Sequence, residues 1–118
     1  MMSTKQKIIE LLYQHSGLSS RDLAEKLNRS PNGIRARISE LRSLGFKIFR
    51  RENKYFLSSA DKILFFVEKT KSYGIVLFYD ELAEQLSLSV DEIKEGMAEI
   101  YRRGRLLQIT SMSAKILV

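Results

Sequence analysis

The chain has 118 residues, room for one ordinary domain or two very small ones, with a globular balance of 44% hydrophobic and 29% charged residues. No cysteine and a single histidine, His15, rule out disulfides and thiolate metal sites and leave almost no material for a histidine metal site or a His-based triad. No run approaches the ~20 apolar residues of a membrane span, and the formal charge of +6 points to a polyanionic partner.

At the N-terminus, "MMSTKQK" has no apolar run behind its lysines long enough for a secretory signal. With the missing cysteines this sets the expectation of a cytoplasmic protein, nucleoid-associated if the host is prokaryotic or viral. "TKQKIIELLYQHSG" then places Ile8, Ile9, Leu11 and Leu12 at helical spacing, with Gly17 as terminator and His15 near the helix end. In "LSSRDLAEKLN", Ser19 is the N-cap of a second helix, with Asp22 three residues on in the manner of a capping box. "NRS" is a tight turn. Ser30 caps a third helix with Pro31 at its first position, where the missing N–H costs nothing, and Gly45 ends it. "FKIFRRENKYFLS" reads as two short strands, with Phe46 and Ile48 on one side and Tyr55 and Leu57 on the other of a charged "RREN" turn.

The second half repeats the plan. "ADKILFFVEKTKS" is a helix, "GIVLFY" a short β-rich run that adds a strand, and "YDELAEQLS" a second helix. "SVDEIKEGMAEIYRRG" is a third, with Ser89 and Glu92 as a capping box, and "RLLQITSMSAKILV" a closing hairpin.

Sliding the sequence against itself gives an ungapped match at an offset of 59 residues: "RDLAEKLNRSPNGIRARISELRSLG" lies over "DELAEQLSLSVDEIKEGMAEIYRRG". Leu23/Leu82, Leu27/Leu86, Ser30/Ser89, Ile34/Ile93, Glu40/Glu99 and Gly45/Gly104 are identical pairs, so what recurs is mostly a helical core. The join falls near "LSSADK", giving units 1–58 and 59–118. Charge separates them. Residues 1–59 hold 12 Lys and Arg against 5 Asp and Glu, net +7, whereas residues 60–118 hold 8 against 9, net −1. The expected fold class is mainly α with small β-hairpins (α+β), in tandem winged helix–turn–helix units.

The stretch "GLSSRDLAEKLNRSPNGIRARISELRSLGFKIFRRENKYFL" closely resembles the N-terminal DNA-binding domain of biotin-repressor-type regulators and related winged-helix modules. The resemblance covers residues 4–58; residues 60–118 match the general fold only, and with no ligase domain following, nothing about biotin carries over. It implies double-stranded DNA as partner, with the helix over residues 30–44 in the major groove and the wing at residues 50–54 near the minor groove.

With Ile34 at the centre of the buried face and ~100° per residue, Ile38 and Leu41 fall within ~40° of it. Asn32, Ala36, Ser39 and Ser43 lie opposite, and Arg35 and Arg37 on the flanks. Asn32, Arg35 and Arg37 are therefore the candidate base readers, since Asn pairs with adenine and Arg with guanine O6/N7. Gly33, unfavourable inside a helix by ~1 kcal/mol, would allow close backbone approach to DNA. Candidate phosphate contacts are Ser19, Ser20 and Arg21 at the start of the second helix, then Arg29 and Arg42, with Arg50, Arg51 and Lys54 around the wing turn.

The second copy replaces this surface: Asn32 becomes Asp91, Gly33 becomes Glu92, Ala36 becomes Glu95 and Arg37 becomes Gly96. Three carboxylates would repel a duplex, so the second unit is not expected to read DNA. Its apolar blocks, including Leu64, Phe65, Phe66, Leu77, Phe78 and Tyr79, are instead a candidate dimerisation or protein-docking surface. The sequence thus points to a small, non-enzymatic, sequence-specific transcriptional regulator. The alternatives are a replication- or recombination-associated architectural module and a winged-helix protein–protein adaptor. No cofactor, metal site, small-molecule ligand or membrane association is expected.

Overall fold

Serine side chains begin four helices in the computed structural model, which describes residues 2–118. Ser3, Ser19, Ser30 and Ser89 each accept a hydrogen bond from the N–H three residues on, satisfying a donor that the first helical turn leaves without a partner. The chain divides after Ser58 into two compact units. No described helix is long and apolar enough to cross a membrane.

In the first unit, α1 (Thr4–Gln14), α2 (Ser20–Leu27) and α3 (Pro31–Ser43) precede a hairpin of β1 (Ile48–Arg51) and β2 (Lys54–Leu57). Asn28 closes α2 in the left-handed conformation at φ 53°, which Asn tolerates better than most residues, and two residues later Ser30 caps α3. Ile8, Leu12, Leu23, Ile34 and Ile38 are sealed from solvent where the three helices meet. Burial of each such side chain is worth roughly 1.5–3 kcal/mol.

The hairpin differs from the expected one in its turn. "RREN" does not separate the strands; Arg50 pairs with Tyr55 and Arg51 with Lys54, leaving only Glu52 and Asn53 at the tip. Both have positive φ, 52° and 64°, the mirror-image backbone whose twist matches that of the flanking strands. Leu18 adds a bridge to Tyr55, with N–H···O distances of 3.1 and 2.8 Å, so the start of α2 is tied to the wing.

The second unit comprises α4 (Ser59–Thr70), β3 (Val76–Phe78), α5 (Tyr79–Leu86), α6 (Val90–Arg102), β4 (Leu107–Ile109) and β5 (Ser113–Ile116), with an antiparallel sheet in the order β3-β5-β4. "GIVLFY" does supply a strand. The 59-residue offset holds to the residue at both ends of α2 and α5, of α3 and α6, and of β2 and β5. Ser87 takes the left-handed conformation at φ 54°, as Asn28 does.

Two residues of this unit have roles different from those expected. Tyr79 is 4% exposed and its hydroxyl donates to the Thr110 carbonyl at 3.0 Å; it belongs to the core, not to a docking surface. Gly96 is buried against α4, where a Cβ would come within 2.7 Å of Ile63 Cδ1 and 3.2 Å of the Ala60 nitrogen. Its lack of a side chain lets two helices approach, so its pairing with Arg37 in the sequence match compares a packing position, not an outward one.

Candidate nucleic-acid interface

Helix α3 begins with Ser30 Oγ accepting from the Gly33 N–H at 3.0 Å, and its first turn carries no acidic side chain. Its positive end is therefore open to an anion or to the acceptor edge of a base. Asn32 and Arg35 both stand exposed on this turn. Arg35 donates from Nη2 to Asn32 Oδ1 and from Nη1 to Ser20 Oγ at 3.2 Å. Three candidate contacts, from α2 and α3, are thereby joined into one polar cluster. A Cβ on Gly33 would lie 3.1 Å from Ser30 Oγ, a tight fit. Yet Glu92 occupies the matching position beside Ser89 with an intact capping box, so capping alone does not demand glycine.

Arg37 lies elsewhere. It is half-buried, pairs with Glu40 Oε1 at 2.9 Å, and shares that carboxylate with Lys5 of α1 at 3.6 Å. Its Nε is closed off from solvent with no hydrogen-bond partner among the described residues. The cause is angular: Arg37 sits ~60° from Ile34 on the helical wheel, nearer the core than Arg35 at ~100°. Arg42 is also engaged internally. Its Nε and Nη2 both donate to the Ile48 carbonyl, at 3.1 and 2.8 Å, and its guanidinium lies 5.8 Å from the Tyr55 ring. These bonds brace the wing against α3, while the residue itself remains exposed.

At the start of α2 the expected anion position is already occupied. The Asp22 carboxylate folds back onto the Ser19 N–H at 3.1 Å while Ser19 Oγ accepts from the Asp22 N–H at 3.0 Å. These bonds hold the Asp22 carboxyl below its ordinary pKa. Ser19 is thus a cap, whereas Arg21 and Arg29 stand exposed. On the wing, Arg50 donates to Asn53 Oδ1 at 3.0 Å, Arg51 lies over Phe56, and Lys54 is exposed.

The matching surface of the second unit is acidic: Asp91, Glu92 and Glu95 are all exposed at the start of α6. The arginines that follow bond to groups of the same unit, Arg102 while still exposed. Arg103 bonds Asp61 at 2.7 Å and Glu99 at 3.3 Å, Arg102 bonds Glu99, and Arg105 reaches the Val118 carbonyl and Tyr73 hydroxyl. Of the apolar residues proposed for docking, Leu64, Phe65, Phe66 and Leu77 are half-buried and Phe78 is 44% exposed. Phe66, Leu77 and Phe78 line an open groove of about 470 Å³ together with Glu81, Leu82, Glu84 and Gln85 of α5.

Residues 3–46 match the family model described as winged helix-turn-helix DNA-binding. The match spans α1 to the end of α3, including the Asn32–Arg35–Ser20 cluster. No curated protein matches the chain. Among solved structures, the DIP2311 protein from Corynebacterium diphtheriae is similar at 12% identity and a TM-score of 0.39 over 96% of this chain. This chain spans only 26% of that protein's length. The mRNA-binding domain of elongation factor SelB from E. coli, solved in complex with SECIS RNA, is similar at 14% identity and a TM-score of 0.37, over 98% of each chain.

Proposed function

We propose that the first unit binds double-stranded DNA in a sequence-dependent way and that the protein is a small, non-enzymatic transcriptional regulator. The observation that carries this reading is the exposed first turn of α3. It combines a helix N-terminus without carboxylates, an Arg35 guanidinium positioned by Asn32 and Ser20, and a missing side chain at Gly33. Asn32 and Arg35 meet base edges. Arg21 and Arg29 meet phosphates on one side, and Arg50, Arg51 and Lys54 meet them from the wing. Arg37 takes part only after giving up Glu40.

The second unit is a diverged copy of the first whose acidic α6 does not enter a groove. It serves homodimerisation or a protein partner through the Phe66–Leu77–Phe78 groove. A dimer would place two copies of α3 on a pseudo-palindromic site.

Selection of bound sequences from a randomised duplex pool, followed by competition against unselected DNA, tests the reading. Enrichment of one short motif supports it. Retention of the pool without enrichment would leave a sequence-indifferent architectural role, and no retention at low salt would leave a protein adaptor.

A further inference from the structure

The strand register that sends Ile48, Tyr55 and Leu57 into the core sets Phe49, Phe56, Arg51 and Lys54 together on the opposite face of the wing. Phe49 is 56% exposed and lies directly across from Phe56. The Phe56 ring packs against two neighbours. The Arg51 guanidinium stands 5.1 Å from its centroid, and Gly17 approaches so closely that a Cβ there would come within 2.6 Å of the ring. Gly17 has φ +93°, so this approach is built on a backbone that favours glycine.

A β-branched aliphatic residue would serve strand formation at position 49 as well as phenylalanine does. What the ring adds is a flat π-face, left largely in water beside Arg51 and Lys54. An aromatic face flanked by cations is complementary to a nucleobase with a phosphate on either side. A base inside a duplex offers only its edge, so the base must be unpaired.

We propose that the outer face of the wing is a stacking platform for an unpaired base of DNA, in a single-stranded segment adjoining the duplex held by α3. Phe49 supplies the ring, Phe56 its support, and Arg51 and Lys54 the phosphate contacts. The adjoining-duplex part rests on the function proposed above; the platform itself does not.

The test compares three DNA probes at one salt concentration: a blunt duplex, the same duplex with a short single-stranded tail, and the tail alone. The tail carries a fluorescent adenine analogue. The protein should bind the tailed duplex more tightly than the blunt one and change the analogue's fluorescence. Phe49→Leu, which keeps the apolar contact with Phe56 but offers no ring, should lose roughly tenfold in affinity for the tailed duplex. It should bind the blunt duplex as the wild type does, and Phe49→Tyr should behave as wild type throughout. Equal affinity of wild type and Phe49→Leu for the tailed probe overturns the platform, as does an equal loss on the blunt probe. If the wild type binds no blunt duplex yet the tail alone binds in a Phe49-dependent way, the duplex reading fails and the platform stands.

Discussion

Arg35 Nη1 donates to Ser20 Oγ at 3.2 Å, joining the exposed turn of α3 to the first turn of α2. A long side chain on a helix surface ordinarily samples many rotamers, and immobilising it on binding costs roughly 0.5–1.5 kcal/mol. The serine reduces that cost by holding the guanidinium in place beforehand. Ser20→Ala should therefore weaken binding to a selected duplex by about 0.5–1.5 kcal/mol. The weakening should be smaller on unselected DNA. Equilibrium titrations on both duplexes measure the difference.

The Glu40 carboxylate, shared between Arg37 and Lys5, is an electrostatic restraint on the same helix. Replacing it by Glu40→Gln releases two cations and removes a negative charge. Affinity for any duplex should rise at low salt, and the dependence of log affinity on log salt should steepen. Arg37→Ala should cost less affinity than Arg35→Ala. Titrations across a salt series read both effects.

Gly96 is where α6 and α4 touch, with Ile63 Cδ1 and the Ala60 nitrogen in the way of any side chain. Gly96→Val should destabilise the protein by about 1–3 kcal/mol through overpacking, despite the poor helix propensity of the glycine it replaces. The urea midpoint measures the loss. A midpoint equal to the wild type's would mean that the two helices have room to move apart.

Lys62 in α4 is 7% exposed, and burial holds its pKa below the ordinary lysine value, with Glu92 opposing the shift. The unfolded chain then binds more protons than the folded one between the two pKa values, so stability rises as pH climbs through the folded value toward the unfolded one. Below both values the charged ammonium destabilises the fold in full. Lys62→Met should raise the urea midpoint at neutral pH, and the gain should shrink under alkaline conditions. A gain independent of pH would assign the effect to packing.

What could be read from the sequence was what local chemistry determines. Ser19, Ser30 with Pro31, and Ser89 each mark a helix start within their own few residues, and the 59-residue match places α2 on α5 and α3 on α6. Other features depend on a neighbour distant in the chain, and no local pattern carries them. Tyr79 looks like part of an apolar patch until Thr110 accepts its hydroxyl. Gly96 looks like a neutralised reading position until α4 packs on it. The expected turn "RREN" is two residues longer than the tip formed by Glu52 and Asn53, because Glu52 adopts positive φ, which glutamate seldom does. The position of Arg37 does have a local signal, its wheel angle, which sets it nearer the core than Arg35.

The central claim is that the exposed turn of α3 reads bases, and the specificity ratio of Arg35→Ala tests it most directly. Affinities of wild type and variant would be measured for a selected duplex and for its scrambled counterpart at one salt concentration. If Arg35 pairs with a base, the selected duplex should lose about 1–3 kcal/mol of affinity and the scrambled one much less, so the ratio collapses. An equal loss on both duplexes would make Arg35 a phosphate contact and contradict base reading by this turn.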